Sequence, residues 1–252
     1  MGYFGNGEKI NDLKNTLENL FKEGLEVEKA GEIVKSIVEE AKEFADVSNA
    51  KEHYLGAKRN YLITLFDSQV NTLRMRGCPS SIVKIIEEQK ASVIDMAFSM
   101  DIPDSHIPFL PVIPCNCVDL DDLVSMIRNN EKTGCFTASQ CIERTTGIPN
   151  NPYFIFNVEN GKDMLGKSIK EARTLIKEQG RFCLALEEVI ALGIHTRVLL
   201  THEVSAAGSP RGSSGNIVYL IIDNEQRPNA RITVDYANSS NKIGIPSYRN
   251  RS

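Results

Sequence analysis

Tryptophan is absent from this 252-residue chain, and only four histidines are present. No segment approaches the roughly 18 uninterrupted apolar residues that a membrane-spanning helix needs. The first seven residues also lack the apolar run of a signal peptide. We therefore expect a cytoplasmic protein without membrane insertion, in which the six cysteines stay reduced instead of forming a disulfide framework.

A strong excess of either charge is missing as well. The chain has 29 basic and 33 acidic residues, for a formal net charge of −4. General nucleic-acid binders need a basic stripe, so this balance argues against that class of protein. Hydrophobic residues make up 41% and charged residues 25% of the chain, which is typical of a globular protein with a sizeable core.

Residues 8–104 carry apolar side chains at helical spacing, which predicts four amphipathic helices. The predicted helices run from Ile10 to Phe21, from Ile33 to Ala45, from Asn49 to Arg76 and from Pro79 to Met100. Because the connections are short, we expect an antiparallel four-helix bundle. Residues 1–7 are expected to form a flexible N-terminus.

The helical spacing of apolar residues ends near residue 105. Pro108, Pro111 and Pro114 exclude a helix interior and favour extended chain. Farther along, the residue pattern predicts strands at 153–158, 196–204, 217–222 and 230–236, and the last two are expected to pair as a hairpin. It also predicts one helix after Ser168 and another over 186–192. We therefore predict an α+β protein in which the bundle is followed by a mixed α+β domain, residues 105–252, with a small, largely antiparallel sheet.

Four blocks of this second half carry a family resemblance. They are Pro108-Phe-Leu-Pro-Val-Ile-Pro114, Tyr153–Asn157 with Val158-Glu-Asn-Gly161, Leu165-Gly-Lys-Ser168, and Leu186–Leu192. These blocks resemble those of an uncharacterised bacterial domain family of unknown function, over a range from about Ile107 to the C-terminus. The resemblance implies that the C-terminal half is the recurring unit, and it implies no activity.

The loop Gly208–Gly215 is the most distinctive candidate site. Its backbone N–H groups can face an anion, and Arg211 would add a bidentate contact. A P-loop is excluded because neither Lys-Ser/Thr nor a helix follows, and a plain surface loop is the alternative. Histidines beside the preceding predicted strand would move protons if they approach the loop. The candidate ligand-binding residues are His195, His202, Ser209, Arg211, Ser213 and Ser214.

Cysteines offer a weaker candidate. Cys115, Cys117, Cys135 and Cys141 would supply four thiolates, with His106 as a substitute ligand. The gaps between the paired cysteines are one and five residues, whereas structural zinc sites use two. We therefore predict free thiols, no metal and no cofactor. The basic C-terminal segment, Tyr248 to Arg251, is expected to be mobile.

Two classes of function remain, and the sequence leaves open whether the chain is an enzyme. The simpler interpretation, which assumes no catalytic group, is a non-catalytic binding or interaction protein of unknown ligand. Its helical bundle would dock a second copy or another protein. The alternative is an enzyme that acts on an anionic or phosphorylated small molecule, held by residues 208–215 with a histidine nearby.

Overall fold

The computed structural model describes residues 52, 54–136, 147–209, 216–234 and 242–252. The chain divides into two compact units, Met1–Lys58 and Arg59–Ser252. Of the first unit only residues 52 and 54–58 are described, and they are helical. The flexible N-terminus and the first two predicted helices lie outside the described residues, so the four-helix bundle stays a prediction, as does the division at residue 104.

The second unit begins within helix α1, which covers residues 54–75. Its buried apolar side chains recur every three or four residues, as one face of a helix requires, and they are Leu62, Phe66, Val70 and Leu73. Phe66 stacks on Phe154 with 5.7 Å between ring centroids and tilts against Phe109 at 6.2 Å. This aromatic contact anchors α1 on the sheet below it.

The predicted fourth helix consists of two helices, α2 (Ser80–Glu88) and α3 (Lys90–Ser99). Gln89 joins them, and its side-chain Nε2 donates to the carbonyl oxygen of Pro152 at 2.9 Å. Pro79 precedes α2 as the N-cap, one position earlier than expected. None of the helices in the described part of the chain combines the length and apolar character that spanning a membrane requires.

The remaining helices are α4 (Leu120–Ser125), α5 (Ile169–Glu178) and α6 (Leu186–His195). The described strands, in chain order, are β1 (Ile107–Val112), β2 (Arg128–Asn129), β3 (Lys132–Thr133), β4 (Cys135–Phe136), β5 (Tyr153–Val158), β6 (Phe182–Cys183), β7 (Glu203–Ser205), β8 (Asn216–Ile222), β9 (Pro228–Val234), β10 (Ile243–Gly244), β11 (Ser247–Tyr248) and β12 (Asn250–Arg251). This mixture confirms the predicted α+β class.

Two sheets organise the unit. In the first, β5 lies between β1 and β12, and both pairings are antiparallel. The second has the order β10-β7-β8-β9-β4. Its β8–β9 hairpin, which the sequence predicts, and the β7–β8 pair are antiparallel, whereas β10 and β4 join in parallel. Helix α6 packs against β1 and β8, and every residue from Leu186 to Ile194 is buried.

Two local predictions were wrong. Within the predicted strand 196–204, Val198–Leu200 forms a 3₁₀ helix and only β7 is extended, because the Thr201 amide and hydroxyl both donate to the Val198 carbonyl oxygen, at 2.9 and 2.7 Å. The segment expected to be a mobile tail instead forms β11 and β12, and Tyr248 is buried.

Candidate anion-binding site

His202, one of the predicted site residues, is a packing residue. Its Nε2 donates to the carbonyl oxygen of Asn160 at 3.0 Å, and its Nδ1 lies 2.9 Å from the Thr201 hydroxyl. A Cβ added at Gly244 would lie 2.6 Å from His202 Cδ2, so the β10 backbone covers the ring closely. Both ring nitrogens are therefore engaged in holding this corner of the fold.

Ser209 stabilises the beginning of helix α6. The helix N-cap is Ala185, whose methyl group cannot accept a hydrogen bond, and Ser209 Oγ accepts one from the Leu186 amide at 2.9 Å. This bond satisfies one of the N–H groups that a helix leaves unpaired at its first turn. Arg211, Ser213 and Ser214 lie outside the described residues, so an anion site in the Gly208–Gly215 loop stays a prediction.

His195 is the last residue of α6, and its imidazole is sealed inside the protein. Neither ring nitrogen is exposed to solvent, and neither has a hydrogen-bond partner among the described residues. Burial, together with the nearby positive charge of Arg76, lowers the pKa of His195 to about 3. The imidazole is therefore neutral near pH 7.

The residues that follow His195 border a cavity of about 330 Å³. Three basic side chains, four apolar ones and four other residues line it. They are Arg76, Arg128 and Arg197; Ile127, Leu199, Leu200 and Ile222; and Asn129, Asn130, Gly193 and Thr196. No acidic side chain is among these described lining residues, so the cavity wall carries charge of one sign.

Each of the three arginines lies just after the end of a helix. Arg76 follows α1, Arg128 begins β2 just after α4, and Arg197 follows α6. The helix ends meet because α6 packs tightly here. A Cβ added at Gly193 would lie only 3.1 Å from the Cδ1 of Ile127, so a larger residue would push α6 away from the strand that carries Arg128.

Arg76 and Arg128 repel each other across this cavity. Arg76 Nη1 donates to the carbonyl oxygen of Met126 at 2.8 Å, which fixes the guanidinium beside the start of β2. Burial lowers the pKa of Arg76, and the positive charge of Arg128 adds to the effect. Arg76 therefore stands in an environment that disfavours its own positive charge.

Among the described residues, no acidic side chain forms a salt bridge with any of the three arginines. In the described part of the chain, the salt bridges are Arg59–Asp95, Arg74–Glu87, Lys90–Asp67 and Arg251–Glu188. Helix C-termini supply some negative charge, equivalent to about half an electron each. Three such ends offset at most about half of the charge on three guanidinium groups, so the described lining residues leave a net positive charge, which favours an anion.

A second polar cluster surrounds Asn157, which has a left-handed backbone with φ of 53°. Its Oδ1 lies 2.5 Å from His106 Nδ1. Arg181 donates to the carbonyl oxygens of Asn157 and Ser247, at 2.6 and 3.0 Å. These bonds tie β5 to β11 and to the chain before β6, which gives the cluster a structural role.

The cysteines do not converge in the described residues. Cys117 Sγ lies 3.2 Å from the Asn150 carbonyl oxygen, Cys135 belongs to β4, and Cys141 lies outside the described residues. His106, the substitute ligand, contacts Asn157. In the part of the chain that the structure describes, no group of three or more His, Cys, Asp or Glu side chains is arranged to hold a metal ion.

Sequence reasoning missed all three cavity arginines. Arg76 is the last residue of the predicted helix 49–76, where a basic side chain is ordinarily explained by the negative end of the helix dipole, and Arg197 falls within the predicted strand 196–204. No common pattern in the sequence marks Arg76, Arg128 and Arg197, and nothing in it indicates that the three helix ends meet.

Comparison with known families gives one match. A family model described as a family of unknown function, DUF5701, matches residues 69–214, more than half of the chain. The match includes the blocks near Pro108, Tyr153 and Leu186, so the resemblance to a family of unknown function is confirmed, although the matched range begins before Ile107 and ends at residue 214. All three cavity arginines lie within it. No curated protein and no solved structure matches the chain.

Proposed function

Because the chain belongs to the DUF5701 family, whose function is unknown, we propose a function from the site itself: non-catalytic binding of a small anionic molecule in the arginine-lined cavity. The observation that carries this proposal is the convergence of Arg76, Arg128 and Arg197 on one cavity, with no salt bridge to any of them in the described part of the chain.

The chemistry of guanidinium groups supports an anion as the ligand. Arginine presents several N–H donors in a planar fork that matches carboxylate and phosphate oxygens. An anion between Arg76 and Arg128 would replace their mutual repulsion with two attractions. A ligand thus removes an unfavourable interaction of the free protein as well as adding contacts.

The cavity size limits the ligand to a small molecule. Small-molecule sites range from about 300 to 1,000 Å³, and this cavity, at about 330 Å³, lies at the lower end. A compact metabolite fits this volume, whereas a protein or nucleic-acid strand would contact only its mouth.

Binding is favoured over catalysis because the described residues near the cavity lack an available proton carrier. His195 is neutral with both nitrogens sealed from solvent, and the His202 nitrogens are engaged by Thr201 and Asn160. The enzyme alternative depends on residues 210–215, which lie outside the described residues, and it stays a prediction. Docking of a partner or second copy through the predicted bundle stays a prediction for the same reason.

A thermal-shift titration with inorganic phosphate, sulfate and citrate tests the proposal. A ligand at 100 times its Kd adds about 2.7 kcal/mol to the stability of the folded state, so we expect Tm to rise by several degrees. R128Q should reduce the rise. R227Q is the matched control, because Arg227 is exposed and does not line the cavity. Absence of any shift, or an equal loss in both variants, would contradict anion binding in this cavity.

A further inference from the structure

We infer that the anion is a phosphomonoester with a compact apolar body, its phosphate held between Arg76 and Arg128 and its body against the apolar wall of the same cavity. This inference rests on the proposed function and names the class of ligand. Three features of the cavity lead to this inference: the number of arginine charges, the apolar side chains of one wall, and the exposed fraction of each of those apolar side chains.

The charge of the cavity requires more than a single negative charge. Even after the helix ends offset part of it, three guanidinium groups leave an excess that one carboxylate would not neutralise. A phosphomonoester carries about −1.5 to −2 charges near pH 7 and three strong acceptor oxygens. Two neighbouring guanidinium groups, from Arg76 and Arg128, therefore match a phosphate better than a carboxylate.

One wall of the cavity is apolar, which inorganic phosphate alone would leave unused. Ile127 is 1% exposed and Leu199 8% exposed, so both belong to the core. Leu200 differs, because it is 58% exposed although it lines the cavity. An apolar ligand body lying on Leu200 would remove that side chain from water, at a gain of about 25 cal/mol per Å² of apolar surface buried.

Isothermal titration with three probes measures how much the phosphate and the apolar body each contribute to the affinity. Phenyl phosphate has both the phosphate and the apolar ring, inorganic phosphate lacks the ring, and benzoate replaces the phosphate with a carboxylate. We expect phenyl phosphate to bind about tenfold more tightly than either of the others, equivalent to about 1.4 kcal/mol. L200N should remove most of its advantage over inorganic phosphate without changing the affinity for inorganic phosphate itself.

M75Q is the matched control, because Met75 is 76% exposed and does not line the cavity. It should leave all three affinities unchanged. Equal affinities for phenyl phosphate and inorganic phosphate, or for phenyl phosphate and benzoate, would overturn the inference about ligand class while leaving anion binding in place. Failure of all three probes to bind would contradict the proposed function itself.

Discussion

Arg251 Nη2 donates to Glu188 Oε1 at 2.5 Å, and the Glu188 side chain is completely buried. Arg251 Nε donates to the same oxygen at 3.0 Å. The guanidinium lies between the rings of Tyr153 and Tyr248, 5.3 and 5.2 Å from their centroids. This ion pair fastens β12 to α6, the helix whose far end borders the arginine-lined cavity.

Breaking this pair is expected to destabilise the fold strongly. R251M leaves the Glu188 carboxylate buried without its cation, which should lower the free energy of unfolding by about 3–5 kcal/mol. The double variant E188Q/R251M should recover most of the loss, because a neutral amide is less costly to bury. Urea denaturation measures both, with R249M as the control at an exposed arginine. A loss in R249M as large as in R251M would contradict this role.

His195 is expected to make stability depend on pH. Its pKa in the folded state is lowered to about 3, so the unfolded chain takes up a proton near pH 6.5 and the folded chain does not. The stability that the neutral, buried His195 contributes is fully present above pH 6.5. As the pH falls from 6.5 toward 3, the free energy of unfolding decreases by at most about 1.4 kcal/mol per pH unit. Urea denaturation of wild type and H195L from pH 7.5 to 4.5 should give curves that diverge in this window; parallel curves would exclude the assignment.

Gly244 tests whether His202 is structural. An added Cβ would lie 2.6 Å from His202 Cδ2 and 2.7 Å from the Gly161 carbonyl oxygen, and such overpacking costs about 1–3 kcal/mol. We expect G244A to lower the free energy of unfolding by this amount while the Kd for inorganic phosphate stays unchanged. If the affinity for phosphate falls, His202 belongs to the binding site instead.

Several elements follow from local sequence patterns, and the structure shows why. Tyr153–Val158 is a strand as predicted, and all six residues are buried. The helix predicted after Ser168 is α5, and Ser168 and Glu171 form a capping box at its N-terminus. The apolar run Val198–Leu200 failed as a strand because a three-residue run has no periodicity that separates a strand from a 3₁₀ turn, and hydrogen bonds from Thr201 decide between them.

The cavity was beyond sequence reasoning for a different reason. Its arginines come from three separate segments, and only the tertiary packing of α6 against Ile127 brings residues 76, 128 and 197 to one place. The distinctive Gly/Ser loop drew attention to Ser209, which stabilises a helix N-terminus. A local motif identifies its own segment, whereas a site built from three helix ends has no local pattern.

Gly193 tests the shape of the cavity separately from its charge. A Cβ there would meet Ile127 Cδ1 at 3.1 Å, between two residues that line the cavity. Alanine gains about 1 kcal/mol of helix propensity over glycine, which offsets the crowding, so G193A should keep nearly wild-type stability and bind phenyl phosphate more weakly. Circular dichroism melting and isothermal titration measure the two effects. Wild-type affinity together with wild-type stability would show that this part of the wall does not contact the ligand.

The most direct test of anion binding is a nuclear magnetic resonance titration that observes the Nε–H groups of ¹⁵N-labelled arginines while inorganic phosphate is added. The Arg76 and Arg128 signals should shift to saturation with one common Kd, while the signal of Arg227, an exposed arginine outside the cavity, stays in place. Equal, unsaturated shifts of all arginine signals, or no shift at Arg76 and Arg128, would contradict the account.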